Sequence, residues 1–336
     1  MLRLVSSSIA RHRATHVFRT LPAQKHTISS STGTNRGTGI STGTSSSTGT
    51  SSSTGTSSSS SSSSGSSSSS NDAFSSAKDL DTHSSPSVTA SEVDKFRQIS
   101  TAWWDTQGPF KHLHTMNTAR MQYIHERLSD FKTPTAKGAS AVDVGCGGGL
   151  AAESLARMGL RTLGVDAALE NVQVARMHAL EDAALALPGQ LEYRRMTAEQ
   201  LVAEGRQFDC VVSLEVIEHV ADALAFVRSL VQLARPGGLV FVSTMSRTAA
   251  AMLIDVVVPE YILGTVPRGT HDHAKFLKPE ELSEMLEAVG AETVDVSGLV
   301  LEPLSNSCHV VPADWGLLRS IGVQANYILC ARKRKP

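Results

Sequence analysis

Long apolar runs, closely spaced cysteines and a basic excess are all missing from this chain of 336 residues. No run of about twenty apolar residues occurs, which predicts that no helix spans a membrane. The formal net charge is -1, so no overall positive field indicates a nucleic-acid partner. The cysteines have neither metal-site spacing nor the density of a disulfide framework, so we expect reduced thiols in a reducing compartment. They are Cys146, Cys210, Cys308 and Cys330.

Residues 1–71 contain no acidic residue, and the first one in the chain is Asp72. Residues 1–30 are rich in arginine and serine, a composition typical of a mitochondrial transit peptide; a basic tail without an import function is the alternative. Residues 31–90 are mostly Ser, Thr and Gly, so we predict a disordered, flexible linker. Residues 91–335 are long enough to form one domain with a sizeable core.

Alternation of two kinds of segment is the main feature of this domain. Strand-like stretches such as "SAVDVG" and "RTLGVD" alternate with helix-like stretches such as "GGLAAESLARMG". Such alternation predicts parallel βαβ units with helices on both faces of a sheet. We therefore predict an α/β fold with a doubly wound, mostly parallel sheet. Further helices precede the sheet, and the C-terminal part adds a helix and two strands.

The stretch "VDVGCGGGL" predicts a cofactor turn. Gly145 stands where a strand runs into a helix, so backbone N–H groups are free to meet a ligand. Asp143 disfavours the pyrophosphate of a dinucleotide and suits a ligand that carries an ammonium group. Asp166 ends the next strand, where a carboxylate accepts the ribose hydroxyls of an adenosine ligand. With the later turn "ARPGGLVFVST", typical of class I methyltransferases, these residues predict S-adenosylmethionine rather than a nicotinamide cofactor.

A second group of polar residues lies in "SLEVIEHVAD". Glu215, Glu218 and His219 stand at positions i, i+3 and i+4, which share one face if the turn is helical. One interpretation is a divalent-cation site that activates a catechol hydroxyl. In the other, no metal is bound, the acids cap the turn and line the pocket, and His219 is the general base.

Three segments together resemble one known family: "WWDTQGPFKHLHTMNTARMQYI", "DVGCGGGLAAESLARMG" and "VPRGTHDHAKFLKPEEL". They are similar to the mitochondrial ubiquinone-biosynthesis O-methyltransferases. The resemblance implies a class I methyltransferase that uses S-adenosylmethionine. It implies methylation of a catechol hydroxyl of 3,4-dihydroxy-5-polyprenylbenzoate, and later of the hydroxyl of demethylubiquinol. It also implies peripheral contact with lipid on the matrix side of the mitochondrial inner membrane, a ubiquinone-biosynthesis complex as partner, and no nucleic acid.

The resemblance also assigns roles to individual residues. Arg120 corresponds to the arginine that meets the cofactor carboxylate, and Leu214 to a cofactor contact. Gly145 corresponds to the glycine of the cofactor turn and Asp166 to the ribose acid. The implied magnesium ligands are Glu215, Glu218 and His219. One departure lies in "GLVLEPLSNSCHVVPADW", which lacks an Asn-Pro that the family often has there.

Several alternatives remain open from the sequence. A metal-dependent RNA 2′-O-methyltransferase shares a Glu-x-x-Glu-His run, but it needs a basic strand-binding surface. An inactive methyltransferase fold that acts as a scaffold is a second alternative. Residues 248–271 form either a lipid-contacting insertion or ordinary core. Of Trp103 and Trp104, we expect at least one to pack in the core, and the other could cover the pocket.

Overall fold

The computed structural model describes residues 87–133, 138–185, 187–253, 272–302, 307–312 and 325–336. The transit segment predicted at residues 1–30 and nearly all of the predicted linker lie outside these ranges. The boundaries that divide the chain into three parts therefore stay a prediction. No described helix is long and apolar enough to cross a membrane.

A single sheet of eight strands forms the centre of the domain. Its order is β3-β2-β1-β4-β5-β8-β6-β7. Strands β1 to β5 are parallel neighbours, whereas β8, β6 and β7 are joined by antiparallel pairing. The strands are β1 (Ser140–Val144), β2 (Arg161–Asp166), β3 (Leu191–Arg195), β4 (Phe208–Leu214), β5 (Ala234–Met245), β6 (Ala291–Glu302), β7 (Ser307–Pro312) and β8 (Asn326–Lys333).

Helices cover the sheet and precede it. They are α1 (Ala90–Gln98), α2 (Lys111–Asp130), α3 (Leu150–Arg157), α4 (Leu169–Ala179), α5 (Ala198–Ala203), α6 (Ala223–Leu233), α7 (Ala249–Ala251) and α8 (Pro279–Ala288). Short 3₁₀ helices lie at Ser100–Ala102, Ile217–His219 and His273–Lys275. The predicted fold class is confirmed, but the sequence pattern missed α5, α7 and β7.

Local sequence signals explain where several helices begin. The side chain of Thr197 accepts a hydrogen bond from the backbone of Gln200, whose own side chain accepts from Thr197 N–H, and this capping box starts α5. Asp222 caps α6 by accepting from Ala225 N–H. Gly149 starts α3 in a left-handed conformation, at φ 92°, which glycine adopts without steric cost. These three residues mark where α5, α6 and α3 begin after β3, β4 and β1.

Alternate residues of the central strands build two separate cores, one on each face of the sheet. On β5, Val240 and Val242 join one cluster and Leu239 and Phe241 join the other. The same alternation holds along β8. Because both faces are covered, the middle parts of β5 and β8 are apolar on both faces, as is usual for buried strands. The two cores hold the carboxyl ends of β1, β2, β4 and β5 side by side, and the polar residues that follow those strands meet there.

Candidate active site

The glycine turn after β1 is shaped by backbone conformations that favour glycine. Gly145 and Gly147 have φ values of 77° and 51°. A Cβ atom at Gly147 would lie 2.2 Å from the indole of Trp103, and one at Gly145 would lie 2.5 Å from Val216. Both faces of the turn are therefore closely packed, and a side chain at either position would clash.

Trp103 lies against this turn as a buried wall of the site. Its ring stacks on Phe110 with centroids 3.8 Å apart, and its Nε1 donates to Asn171 Oδ1 over 2.9 Å. Trp104 donates from Nε1 to the carbonyl oxygen of Gly148 and stacks on His178. Trp103 is core, as we expected for at least one tryptophan, and both rings also cover the glycine turn.

Asp166 lies at the end of β2, as the sequence predicts for the ribose acid. Its Oδ2 accepts from Gly147 N–H over 2.9 Å, and its Oδ1 accepts from Ala168 N–H and from the side chain of Asn171. Burial raises the pKa of Asp166 above its ordinary value, although these hydrogen bonds act to lower it. Three hydrogen bonds thus fix the carboxylate beside the glycine turn.

A small cavity of about 40 Å³ lies between α2 and the glycine turn. Arg120, Asp143, Gly145 and Leu214 all contribute to its wall. Asp143 is 2% exposed, and its Oδ2 has no hydrogen-bond partner. Burial raises the pKa of this carboxyl to about 7. A buried oxygen that lacks a partner is costly, and a bound cationic group would satisfy it.

Arg120 stands on the other side of the same cavity and is 3% exposed. Its Nη1 donates to Glu215 Oε1 over 3.3 Å and to Ser243 Oγ over 3.4 Å, and its Nη2 donates to the carbonyl of Leu113. Its Nε is buried without a hydrogen-bond partner. Asp143 and Arg120 therefore contribute one carboxyl group and one guanidinium, each with an unsatisfied atom, to the wall of one small space.

Glu215 does not share a helical face with Glu218 and His219, and the prediction that it does is wrong. Its φ of 56° places it in the left-handed region, before the short 3₁₀ helix Ile217–His219. Its Oε1 accepts from Ser243 Oγ over 2.6 Å as well as from Arg120. Because Glu215 has a left-handed φ and lies outside the 3₁₀ helix, spacing rules that assume a continuous helix do not apply there.

Glu218 is buried, with 3% of its surface exposed. Its Oε2 accepts from Thr244 Oγ1 over 2.8 Å, while its Oε1 has no hydrogen-bond partner. Burial, and next the negative charge of Glu215, raise the pKa of Glu218 to about 7. A carboxylate with one anchored oxygen and one unsatisfied oxygen is suited to a cation or to a substrate hydroxyl.

His219 is held by the N-terminal helix α1. Its Nδ1 lies 3.2 Å from Glu92 Oε2, and its ring meets Phe96 edge to face at 4.9 Å. The hydrogen bond with His219 is the largest cause that lowers the pKa of Glu92 to about 2. The imidazole is therefore oriented by a carboxylate from a distant part of the chain.

The residues predicted for the cofactor come together, whereas the predicted metal ligands face different partners. Within the described ranges, no three or more His, Cys, Asp or Glu side chains form a group that could hold a metal ion. Sequence reasoning missed Asn171, Ser243, Thr244 and Glu92. The two hydroxyl residues at the end of β5 could have been found, since the carboxyl ends of neighbouring parallel strands meet. Glu92 gives no comparable signal.

The chain is similar to known methyltransferases. Residues 100–296 match a family model described as a methyltransferase domain. A protein of Dinoroseobacter shibae named ubiquinone biosynthesis O-methyltransferase is 44% identical over 69% of this chain and 94% of its own length. The mitochondrial protein of that name from Arabidopsis thaliana is 40% identical over 78% of this chain and 79% of its own.

A solved structure shows the same fold. The magnesium protoporphyrin IX methyltransferase of Synechocystis PCC 6803 with bound SAH has a TM-score of 0.50 at 20% sequence identity. The alignment covers 73% of this chain and 95% of that one. At this identity the match supports the class I methyltransferase fold alone.

Proposed function

The chain belongs to the ubiquinone biosynthesis O-methyltransferase family, and on this basis we propose which reactions it catalyses and which residues serve them. It is an S-adenosylmethionine-dependent O-methyltransferase. Its substrates are 3,4-dihydroxy-5-polyprenylbenzoate, methylated on a catechol hydroxyl, and demethylubiquinol, methylated on the ring hydroxyl. The named relatives support this function and not the alternatives, an RNA 2′-O-methyltransferase or an inactive scaffold.

The observation that carries the proposal is the pair of unsatisfied groups around the small cavity, Asp143 Oδ2 and Arg120 Nε. The amino-acid end of S-adenosylmethionine has one ammonium and one carboxylate, so it matches this pair in charge and in number. Arg120 binds the carboxylate, Asp143 faces the ammonium, and Leu214 and Gly145 line the space between them. When bound, the cofactor supplies an electrophilic methyl group, which the bound substrate oxygen attacks.

Asp166 binds the ribose hydroxyls of the cofactor in this proposal. The backbone N–H groups of Gly147 and Ala168 already orient its carboxylate. Because these donors fix the side chain before the ligand arrives, little conformational entropy is lost on binding. Asn171 supports the same carboxylate and also accepts from Trp103, which connects the ribose acid to the tryptophan wall.

A magnesium site is the second part of the proposal. Carboxylate oxygens are the donors that Mg²⁺ prefers, and Glu218 Oε1 is buried without a hydrogen-bond partner. Glu218 therefore fits as the first ligand. Glu215 and His219 fit in kind, but they must exchange contacts with Arg120 and Glu92. A divalent cation held there would lower the pKa of a catechol hydroxyl and orient its oxygen.

Arg120 has two roles in this proposal, because it binds Glu215 and also the cofactor carboxylate. When the Glu215 side chain moves away from Arg120, the buried guanidinium loses a negative charge beside it, which is costly. The cofactor carboxylate compensates that charge. Cofactor binding thus makes Glu215 available to a cation, and we propose that the cofactor and the metal each strengthen the binding of the other.

Without a metal, His219 itself accepts the proton of the attacking hydroxyl. The observation that favours this second mechanism is the Glu92 carboxylate beside Nδ1, since an acid in that position stabilises a protonated imidazole. The test is a methyl-transfer assay on a short-chain catechol analogue, with and without chelator. Loss of activity on chelation and its recovery with magnesium support the metal, whereas full activity in excess chelator leaves His219 as the base.

We also propose that the protein acts in mitochondria, on the matrix side of the inner membrane and as a peripheral protein. The acid-free, arginine-rich residues 1–30 support import, and the Arabidopsis thaliana relative is named mitochondrial. Most of the segment predicted to contact lipid, residues 248–271, lies outside the described residues. A reporter fused behind residues 1–70 should enter mitochondria; a cytosolic reporter would contradict the import proposal only.

A further inference from the structure

A second, larger cavity of about 430 Å³ lies at the N-terminal end of α2. It shares no lining residue with the 40 Å³ cavity next to the glycine turn. Helix α2 contributes one wall and the start of β7 another. The lining residues that matter here are Lys111, His114, Thr115, Thr118, Ser307 and Cys308.

The lining of this cavity is polar and has no negative group among the described residues. Lys111 supplies an ammonium group, and His114 supplies an imidazole. The other described lining residues are Thr, Ser, Gln and Cys. The hydroxyl of Thr115 donates to the carbonyl oxygen of Lys111, and that of Ser307 donates to Glu302. The Lys111 ammonium is therefore the group in this lining that complements an anion, and a carboxylate meets it with a short charge-assisted hydrogen bond.

One contact and one charge effect place this cavity next to the proposed reaction centre. The His114 Nε2 lies 2.8 Å from the carbonyl oxygen of Trp103, and Trp103 lines the cofactor cavity. On the other wall, the charges of Arg120 and Glu215 both act on the thiol of Cys308, whose pKa burial raises to about 11. The Trp103–His114 contact therefore joins the linings of the two spaces, and Cys308 lies near enough to Arg120 and Glu215 to be affected by their charges.

Taking the proposed function as the starting point, we propose that this larger cavity binds the carboxylate of the benzoate substrate, with Lys111 as its counter-charge. The carboxylate and the reacting hydroxyl are not on neighbouring ring carbons. The carboxylate therefore has to extend away from the methyl donor, into a space beside the cofactor cavity. Demethylubiquinol has no carboxylate, so Lys111 is a specificity-determining residue for one substrate of the two.

The test compares both substrates in one set of variants. With short-chain analogues, Lys111→Met should raise the KM of the dihydroxybenzoate by about 10- to 100-fold, the range expected when one charge-assisted hydrogen bond is lost. The kcat and the KM of the demethylubiquinol analogue should stay as in the wild type. Lys111→Arg should restore much of the affinity, and Lys335→Met, which removes an exposed lysine, should change neither substrate.

A carboxamide analogue makes the result independent of any folding defect. In the wild-type protein the amide should show the same rise in KM as Lys111→Met shows with the acid, and the variant should not distinguish acid from amide. Equal KM increases for both substrates in Lys111→Met, or an unchanged KM for the acid, would overturn the carboxylate assignment. If the wild-type protein methylates neither the dihydroxybenzoate nor the demethylubiquinol analogue, the proposed function fails instead.

Discussion

Arg120 donates a hydrogen bond of 3.3 Å to Glu215, although the two residues lie 95 positions apart in the chain. Both side chains are nearly inaccessible to solvent, with 3% and 12% of their surfaces exposed. The contact joins the arginine proposed for the cofactor carboxylate to an acid proposed for the metal. If both proposed roles hold, cofactor binding and metal binding are coupled through this one buried charge pair.

The first prediction is positive coupling between cofactor and metal. S-adenosylhomocysteine should tighten Mn²⁺ binding, followed by electron paramagnetic resonance, by about 5-fold or more, the lower end of typical couplings. The carboxylate neutralises Arg120 and so makes Glu215 available. Methylthioadenosine has no amino-acid group and serves as the control, because it should not produce the coupling. Equal effects of the two nucleosides would rule out Arg120 as the link.

The second prediction concerns Glu218. Glu218→Gln keeps the shape and the contact with Thr244 but removes a charge, so Mn²⁺ affinity and methyl transfer should fall together. Glu284→Gln is the matched control, since Glu284 is exposed on α8. Cofactor affinity, measured by calorimetry, should be unchanged in the absence of metal.

If His219 is the base, the substitution His219→Ala should lower the rate of methyl transfer by a factor on the order of 10²–10⁴, while chelators have no effect.

The third prediction tests the ribose acid. Asp166→Asn should weaken the binding of S-adenosylhomocysteine by about 10- to 100-fold, because charge-assisted hydrogen bonds to the ribose are lost. Asp209→Asn is the control: Asp209 accepts from the backbone of Ser140, at the amino ends of the strands and away from the site. Calorimetric titration with unchanged affinity for the Asp166 variant would argue against the ribose role.

The fourth prediction uses the contact between Gly147 and Trp103. Gly147→Ala combines a strained φ of 51° with a Cβ 2.2 Å from the indole, so we expect a loss of about 2–4 kcal/mol in the free energy of unfolding. Gly189→Ala has a similar positive φ but no atom within 4 Å, and it should lose only about 1 kcal/mol.

A double-mutant cycle separates the clash from the strain. In a Trp103→Ala background, Gly147→Ala should cost no more than Gly189→Ala does in the wild type, because the ring that would collide is gone. Urea unfolding of the four variants measures this. Additive losses would mean that the indole does not rest on the turn in solution.

The fifth prediction is a pH dependence of the unliganded protein. Burial raises the pKa of Asp143 from 3.8 to about 7 in the folded state. Between these values the folded protein holds a proton that the unfolded chain has released, so stability falls as pH rises. The slope should reach at most about 1.4 kcal/mol per pH unit. Asp143→Asn should lack this component in urea titrations from pH 5 to 7; an identical slope in both proteins would contradict it.

Neighbouring residues determined the fold class and the cofactor turn. The alternation of apolar runs with helical periodicity, the glycines after β1 and the acid that ends β2 are all signals within a few dozen residues. Such signals suffice because strand and helix periods and turn conformations depend on local backbone sterics and on side-chain spacing. Asp143, Gly145 and Asp166 accordingly lie where the sequence predicts them.

Tertiary structure alone decided what surrounds the Glu215–His219 stretch. Glu215 adopts a left-handed φ and binds Arg120, and His219 meets Glu92 from a point 127 residues earlier in the chain. Helical spacing predicted one shared face. The left-handed φ of Glu215 interrupts the helical turn, so neighbouring side chains bind different partners. Contacts of this kind depend on the strand order, which brings β4 beside β5, and on how α1 and α2 close over the sheet. No local pattern encodes these distances, because they result from packing that involves the whole domain.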